Sequence, residues 1–371
     1  MACTRSSTLR SWPTCDEVAQ HLASDADDAG ELASLHGSTV IVTGSNTGIG
    51  KHAAGALASL GGNVIMACRN VEKGERAAAA ERAKYKDTPQ LRLTVLPLDL
   101  GSPASVRAFV AAFHAAAATN AWPPLDRLVL NAGIFPAGGY VAAPAWAGCE
   151  AAFAVNHLGH FLLTRLLLPT LRAAGSAAAP ARVVVVASQS SFGPLATKAV
   201  EDRGEVERKV ARAPKKGYSG FRAYGSSKLA NVLFAGGLHT REAARALVAG
   251  GEARAGGGGG RVVACSLHPG GMIGTDIARK GNALLRGAFR FIALFTKSVD
   301  QGAATTVYCT LCPAGELRGA YFDCCRQANK SRLATPAAED VLWGLSEDLL
   351  AEVEEGQQQE GGETAPARSA L

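Results

Sequence analysis

A glycine-rich segment, Thr43 to Gly50, limits most strongly what this chain can fold into. It directly follows the apolar run 39–42 and directly precedes an alanine-rich helical pattern, so the predicted order is strand, turn, helix. Glycines at this spacing allow a tight turn, let a phosphate approach the backbone and let the helix pack close to the strand. The first N–H groups of the helix then point at an anion. The segment predicts a phosphate-binding turn, with a purely structural turn as the alternative.

Strand and helix patterns alternate from residue 38 onward. Apolar runs predict seven strands, at 38–43, 63–67, 92–98, 126–130, 182–187, 261–267 and 319–322. Helical patterns lie between them, at 48–60, 71–85, 103–118, 149–174, 222–248 and 299–311. Strands that are apolar at nearly every position are typical of a sheet covered on both faces. The alternation therefore predicts a single α/β domain with a doubly wound, Rossmann-type parallel sheet of about seven strands.

The predicted domain spans residues 37–350. An N-terminal tail, residues 1–36, precedes it and contains a short helix, whose capped start is indicated at residues 14–17. The C-terminal stretch, residues 351–371, is rich in Glu, Gln, Gly and Ala, and we expect it to be disordered.

Charge and hydropathy argue against several classes of protein. The net charge of +6 is mild and spread out, so it does not predict nucleic-acid binding. No uninterrupted apolar run reaches the roughly 18 residues that span a bilayer, and the N-terminus lacks the apolar core of a secretory signal. We expect an intracellular, cytoplasmic protein. Residues 1–12 carry Arg, Ser and Thr without acids, so a plastid or mitochondrial location is the alternative, as is attachment to a membrane surface.

The nine cysteines are scattered through apolar surroundings, which indicates buried thiols in a reducing compartment. Cys309, Cys312, Cys324 and Cys325 are the group spaced most like a zinc site. Adjacent cysteines are poorly placed to supply two ligands, and the first pair falls in a helical pattern. We therefore predict no metal site.

The residues after the second and third predicted strands bear on the choice of cofactor. An acid after the second strand of a dinucleotide fold would hold a ribose 2′-hydroxyl, but Arg69 stands there and suits a phosphate. Lys51 and Lys73 would add positive charge, so NADP(H) is favoured over NAD(H); the alternative is an ordinary surface arginine. Asp99 is placed either to accept a hydrogen bond from adenine or to cap the helix that begins near Ser102.

Tyr224 and Lys228 lie four residues apart and so share one face of the predicted helix 222–248. A free phenol loses its proton near pH 10, and a nearby ammonium lowers that pKa by favouring the phenolate. The pair predicts a proton donor and acceptor for an alcohol or carbonyl. The pattern alone is common by chance, and its weight comes from the glycine turn and from the strand that delivers Ser188.

As a set, these residues resemble the short-chain dehydrogenase/reductase family. The motifs that carry the resemblance are Thr43-Gly44-x-x-x-Gly48-Ile49-Gly50, Asn131-Ala132-Gly133, Asn156, Ser188, Tyr224-x-x-x-Lys228 and Pro269-Gly270. The similarity covers about residues 37–350, and the segments 67–74 and 156–163 are typical of the retinol dehydrogenase-like branch.

The resemblance implies an oxidoreductase that interconverts an alcohol and a carbonyl by hydride transfer from or to NADP(H). Tyr224 would be the general acid or base, and Lys228 would lower its pKa and hold the nicotinamide ribose. Ser188 would hydrogen-bond the substrate oxygen, and Asn156 would anchor a water that relays protons to Lys228. The implied cofactor-binding residues are Gly44, Ser45, Asn46, Thr47, Gly48, Ile49, Gly50, Arg69, Asp99, Leu100, Asn131, Ala132, Gly133, Tyr224, Lys228, Pro269, Gly270 and Thr275. Thr275 lies one residue beyond the family's usual position.

The expected substrate is an apolar small molecule, such as a retinoid, steroid or lipid. The stretch 281–296 follows the Pro-Gly loop, where the family keeps its substrate lid, and mixes apolar with basic residues. We interpret it as a partly buried lid helix, with peripheral membrane contact as the alternative. A polar insertion, 189–220, is expected to shape the substrate entrance. The family often forms homo-oligomers, and a non-catalytic NADPH-sensing scaffold is the alternative function.

Overall fold

A computed structural model describes residues 13–24, 34–88, 91–192, 200–252, 261–270 and 298–363. The strands are β1 (Thr39–Thr43), β2 (Asn63–Cys68), β3 (Leu93–Pro97), β4 (Leu125–Leu130), β5 (Ala142–Ala143), β6 (Cys149–Glu150), β7 (Ala181–Val186), β8 (Val262–His268), β9 (Tyr321–Asp323) and β10 (Arg326–Ala328). The main helices are α1 (Cys15–Ser24), α2 (Gly48–Ser59), α3 (Val71–Lys84), α4 (Pro103–Thr119), α5 (Ala151–Ala174), α6 (Gly220–Glu252), α7 (Val299–Leu311) and α8 (Pro336–Glu363).

Eight of these strands form one sheet in the order β10-β9-β8-β7-β4-β1-β2-β3, and β5 and β6 form a separate ribbon. The pairings from β3 across to β9 are all parallel. The chain order reverses beside β1, which lies between β2 and β4, and ligands of such sheets bind at this point beyond the carboxyl ends of the strands. The predicted doubly wound α/β fold is confirmed.

Side chains from both faces of the sheet are buried, which explains the near-continuous apolar strands. In β1, Ile41 packs into one hydrophobic cluster, whereas Val40 and Val42 pack into a second cluster on the opposite face. In β7, Val183 and Val184 are divided between the same two clusters. Alternation of side chains along a strand therefore supplies two cores, one under each layer of helices.

The sheet has one strand more than the seven predicted. The missed strand is β10, which pairs antiparallel with β9 at the edge of the sheet. Two of its three residues are exposed, so it has no apolar pattern that a sequence reading can detect. The connecting residues Cys324 and Cys325 have φ angles of 50° and 59°, in a region where glycine or asparagine is the usual signal of a tight turn.

The predicted N-terminal helix is confirmed as α1, and it packs onto the domain. Thr14 and Glu17 cap it reciprocally: the Thr14 hydroxyl accepts from the Glu17 N–H at 3.2 Å, and a Glu17 carboxylate oxygen accepts from the Thr14 N–H at 2.8 Å. The Cys15 N–H donates to Asp300 on α7, at 3.2 Å. Val18 is completely buried.

The expected disorder from residue 351 is wrong as far as residue 363, because α8 continues to Glu363. Val353 is buried in the larger core, which holds this part of the helix against the domain. Ion pairs from Arg107 to Glu354 and from Arg212 to Glu352 add to this contact. The amino-acid composition of this stretch gives no indication of these tertiary contacts, which is why we expected disorder.

Helix α5 is the one helix, among the described residues, that is long and apolar enough to cross a membrane. In the protein, 78% of its most apolar window is buried against the rest of the chain. We therefore describe α5 as the central core helix of one layer.

Candidate active site

A cleft of about 650 Å³ opens at the carboxyl ends of β1, β2 and β4, at the point where the strand order reverses. The predicted site residues that line it are Gly44, Asn46, Thr47, Gly48, Ile49, Gly50, Arg69, Asp99, Leu100, Asn131, Ala132 and Gly133. Residues that sequence reasoning did not assign to the site also line it, among them Ile134, Phe135 and Val155. One cleft therefore brings together most of the predicted cofactor-binding positions.

The glycine turn is shaped by close contact with the segment after β4. Gly44 has φ +65°, and a Cβ there would lie 2.8 Å from the Cα of Ala132. A Cβ at Gly50 would collide with the side-chain amide of Asn131. That amide donates to the Thr43 carbonyl at 2.8 Å, so the turn and the β4 exit are bonded together. Since α2 begins at Gly48, beside the cleft, this cradle fits the phosphates of a dinucleotide.

Ser45 is the residue of the turn that the structure places away from the cleft. Its side chain is completely buried, and its hydroxyl donates to the Val42 carbonyl at 3.0 Å. This hydrogen bond closes the turn from inside the protein, and the contact of Ser45 with the cofactor stays a prediction.

Two of the three predicted cations line the cleft. Asn70 caps α3 by accepting from the Lys73 N–H at 2.8 Å, and this start of the helix puts both Arg69 and Lys73 on the cleft wall. Lys51 instead pairs with Glu81 at 3.4 Å. The positive charge at this end of the cleft comes from Arg69 and Lys73.

The two alternatives for Asp99 are separated by the structure. Ser102 is the N-cap of α4, where its hydroxyl accepts from the Ser105 N–H at 3.3 Å. Asp99 accepts from the Gly101 N–H at 2.8 Å and lines the cleft. The helix-cap alternative is therefore wrong, and Asp99 is available to the cleft.

The predicted proton-transfer residues meet where α6 passes the end of β7. The Lys228 ammonium lies 5.8 Å from the centroid of the Tyr224 ring, and it donates to the Val186 carbonyl at 2.9 Å. Ser188, two residues further, is the serine whose hydroxyl acts on the pKa of Tyr224. Ser190 donates to the Ser188 hydroxyl at 2.8 Å.

Burial governs the ionisation of this group. Burial raises the pKa of Tyr224 above its ordinary value of 10.0, and the hydrogen bond from Ser188 acts in the opposite direction. Burial also lowers the pKa of Lys228 from 10.5 to about 8. The lowering of the Tyr224 pKa that we expected from Lys228 is not found, because both groups are withdrawn from water and each charged form is disfavoured.

Asn156 lies in a π-helical turn, Ala154–Leu158, inside α5. Its side chain accepts from the Ile134 N–H at 2.7 Å and donates to the Ile134 carbonyl at 3.0 Å. It also bonds the Ser227 hydroxyl at 2.9 Å. Asn156 therefore joins the segment after β4 to the helix that carries Tyr224 and Lys228. The sequence contains no signal for the π-helical turn, and the water-anchoring role of Asn156 stays a prediction.

The cleft and the predicted proton-transfer group meet at Gly133. A Cβ built there would lie 3.1 Å from the Lys228 ammonium nitrogen and 3.4 Å from the Asn156 side-chain oxygen. Gly133 itself lines the cleft. Gly133 is thus the lining residue of the cleft that lies next to the buried lysine.

Aromatic rings surround Tyr224 on its outer side. Phe135, which lines the cleft, meets the Tyr224 ring edge-on at 5.4 Å between centroids. Phe221 meets Phe135 at 5.0 Å and is 78% exposed. Phe221 stands in the first turn of α6, where the polar insertion ends. Sequence reasoning missed both rings, which carry no motif.

The remaining predicted positions lie beyond β8. Gly270, with φ +109°, donates its N–H to the His268 ring at 3.0 Å, and neither Pro269 nor Gly270 is among the residues that line the cleft. Thr275 and the stretch 281–296 fall outside the described residues.

Comparison with known proteins gives a consistent set of relatives. A family model described as short chain dehydrogenase matches residues 38–200. The WW domain-containing oxidoreductase of Danio rerio is 38% identical over 337 residues, which are 88% of this chain and 72% of that protein. Retinol dehydrogenase 12 of Mus musculus is 39% identical over 318 residues, 85% of this chain and 87% of that protein.

A solved structure shares the fold. The L-sorbose reductase of Gluconobacter frateurii, determined in complex with NADPH and L-sorbose, superposes with a TM-score of 0.54. The superposition covers 78% of this chain and 95% of that chain at 19% sequence identity.

Proposed function

The chain belongs to the short-chain dehydrogenase family, and on that premise we propose that it is an NADP(H)-dependent oxidoreductase that interconverts an alcohol and an aldehyde or ketone on an apolar small molecule. The observation that carries the proposal is the contact at Gly133. Gly133 lines the cleft that we propose for the cofactor, and its Cβ position lies 3.1 Å from the buried ammonium of Lys228. A cofactor in the cleft would then lie beside the helix that carries Tyr224 and Lys228.

When bound, the nicotinamide supplies or takes up the hydride. In the reducing direction, the Tyr224 hydroxyl donates its proton to the substrate oxygen as negative charge develops there. The Ser188 hydroxyl, which bonds Tyr224, donates to the same oxygen. Lys228, whose ammonium lies 5.8 Å from the centroid of the Tyr224 ring, would hold the nicotinamide ribose beside this group. Burial raises the pKa of Tyr224, which keeps the phenol protonated and suits it to the reduction of a carbonyl.

The preference for NADP(H) rests on the charge at the end of β2. Arg69 and Lys73 line this part of the cleft, and residues 69 and 70 include no acid that would repel a 2′-phosphate. A guanidinium offers a planar fork of donors that matches phosphate oxygens.

The apolar substrate class rests on the rings at the mouth of the site. Phe135 and Phe221 form a continuous aromatic edge beside Tyr224, and such a surface favours an apolar substrate body next to a single polar atom. The similarity to retinol dehydrogenase 12 supports retinoid-like, steroid-like or lipid-like carbonyls as the first candidates.

The proposal is tested by NADPH oxidation with the purified protein and a panel of carbonyls: all-trans-retinal, a steroid ketone and a long-chain aldehyde. Tyr224→Phe should bind NADPH as the wild type does and lose at least about 100-fold in turnover. Tyr85→Phe is the matched control, because it removes a phenol that bonds Asp16 at 2.9 Å, away from the cleft. It should cost about 1 kcal/mol of stability and leave turnover unchanged.

Full turnover in Tyr224→Phe would exclude the proposed proton transfer. NADPH binding without oxidation by any carbonyl would instead favour the non-catalytic, NADPH-sensing scaffold.

A further inference from the structure

His160 is a buried histidine, 1% exposed, whose two ring nitrogens both have partners. Its Nε2 lies 2.9 Å from the hydroxyl of Thr43, the last residue of β1 before the glycine turn. Its Nδ1 lies 3.0 Å from the main-chain carbonyl of Asn156 in the π-helical turn. His160 therefore contacts the cofactor side and the proton-transfer side of the candidate site, while it touches neither the cleft nor Tyr224.

The direction of these hydrogen bonds follows from the Thr43 hydroxyl. Its oxygen accepts from the N–H groups of Asn131 at 2.9 Å and Ala132 at 3.0 Å, which occupy its lone pairs. The hydroxyl proton is left for His160 Nε2 at 2.9 Å, which is closer than the Val129 carbonyl at 3.5 Å. Nε2 is then an acceptor, so Nδ1 carries the ring proton and donates to the Asn156 carbonyl. Burial lowers the pKa of His160 to about 3, in agreement with a neutral ring.

Each end of this chain of hydrogen bonds is tied to functional residues. On one side, the Asn131 amide donates to the Thr43 carbonyl, at the start of the glycine turn. On the other, the Asn156 side chain bonds the Ser227 hydroxyl, which donates to the Tyr224 carbonyl at 2.7 Å. The imidazole thus connects the Thr43 hydroxyl directly to the main chain of Asn156.

We propose that His160 is a positioning residue, which holds the glycine turn and the π-helical turn of Asn156 in register so that a bound cofactor and Tyr224 address the same substrate atom. The proposal rests on the proposed function. A small misplacement of the reacting groups lowers the rate of the chemical step steeply. A residue that positions these groups therefore has a measurable effect on kcat even though it does not touch the substrate.

His157 provides a matched comparison. It lies in the same helix, is also 1% exposed, and burial likewise lowers its pKa to about 3. Its Nε2 bonds the hydroxyl of Ser346 on α8, at 2.8 Å, away from the glycine turn. Loss of either imidazole leaves a similar buried cavity. His160 loses two ring hydrogen bonds and His157 loses one, since Nδ1 of His157 is buried without a hydrogen-bond partner.

The test compares His160→Leu with His157→Leu in the full chain. Both variants should lower Tm, and His160→Leu should lower it at least as much because it removes one more hydrogen bond. Only His160→Leu should raise the NADPH dissociation constant and lower kcat, each by about 10-fold. Equal changes in Tm, NADPH affinity and kcat in the two variants would reduce His160 to a core residue and overturn the proposal.

Two conservative variants separate the two contacts. A Gln amide reaches the position of Nε2 and can accept from Thr43, so His160→Gln should keep NADPH affinity and lose kcat. An Asn amide occupies the position of Nδ1 and can donate to Asn156, so His160→Asn should keep more of kcat and lose NADPH affinity. This opposite split is not expected of a purely structural residue. Wild-type constants in both variants, or the same loss in both, would overturn the proposal even if His160→Leu does not fold.

Failure of the proposed function is recognised separately, as an absence of turnover in the wild type with every carbonyl. The NADPH affinities of the two variants then still test the positioning role. A loss of affinity in His160→Leu alone supports that role, and equal affinities in His160→Leu and His157→Leu overturn it.

Discussion

Lys228 and Asn231 donate to one acceptor, the main-chain carbonyl of Val186 at the end of β7, at 2.9 and 3.1 Å. If the ammonium is removed, the carbonyl therefore keeps a donor. If Lys228 is replaced by an uncharged side chain, the change in the free energy of unfolding therefore comes mainly from the loss of the buried charge. The Val186 carbonyl stays hydrogen-bonded to Asn231 and adds no penalty of its own.

Lys228→Met should stabilise the cofactor-free protein at neutral pH, and the gain should disappear at high pH. Burial lowers the pKa of Lys228 from 10.5 to about 8, so between these values the unfolded chain binds the proton and the folded chain does not. The buried charge therefore lowers the free energy of unfolding by its full amount below the folded pKa of about 8. This destabilisation decreases as pH rises and disappears near the unfolded pKa of 10.5. A shift of this size corresponds to an upper bound on the order of 3 kcal/mol.

Urea unfolding at about pH 7 and about pH 10 measures this difference. Lys86→Met, which removes an exposed lysine, should show the same stability relative to wild type at both values. A stabilisation by Lys228→Met that does not change with pH would show that the ammonium is not its source.

Gly133→Ala should lower kcat by about 10-fold, because the new methyl group would stand 3.1 Å from the Lys228 nitrogen and 3.4 Å from the Asn156 side-chain oxygen. Both neighbours are held by hydrogen bonds, so neither yields freely. Steady-state kinetics with saturating NADPH measure the effect. Gly138→Ala is the control, since its Cβ would meet nothing within 4 Å. Wild-type kcat in Gly133→Ala would mean that the ammonium position is not critical.

Arg69→Ala should weaken NADPH binding by about 10- to 100-fold, the loss expected for a hydrogen-bonded charge pair, and should change NADH binding little. Fluorescence titration of both cofactors measures the ratio. Arg76→Ala is a matched control on α3, because this exposed arginine pairs with Glu72 on the same helix. Equal losses for NADPH and NADH in Arg69→Ala would remove the basis for NADP(H) preference.

Much of the fold was predictable because its signals are local. The apolar run of β7 and the glycines after β1 are read directly from neighbouring residues, and both were found where they were expected. β10 and the end of α8 were missed for the opposite reason. β10 exists through its pairing with β9, and α8 is held beyond residue 350 by Val353 in the core and by distant arginines.

The sequence by itself determined the order of the elements, the glycine turn before α2 and the shared helix face of Tyr224 and Lys228, since each depends on spacing within a few residues. Tertiary structure alone decided that Ser45 turns inward, that Asp99 is not the helix cap, and that His160 links Thr43 to Asn156. It also decided that the pKa of Tyr224 is raised, where the sequence predicted that it is lowered. This pKa depends on how completely the folded chain excludes water from the phenol. Residues that are distant in sequence exclude that water together, so local spacing does not reveal the effect.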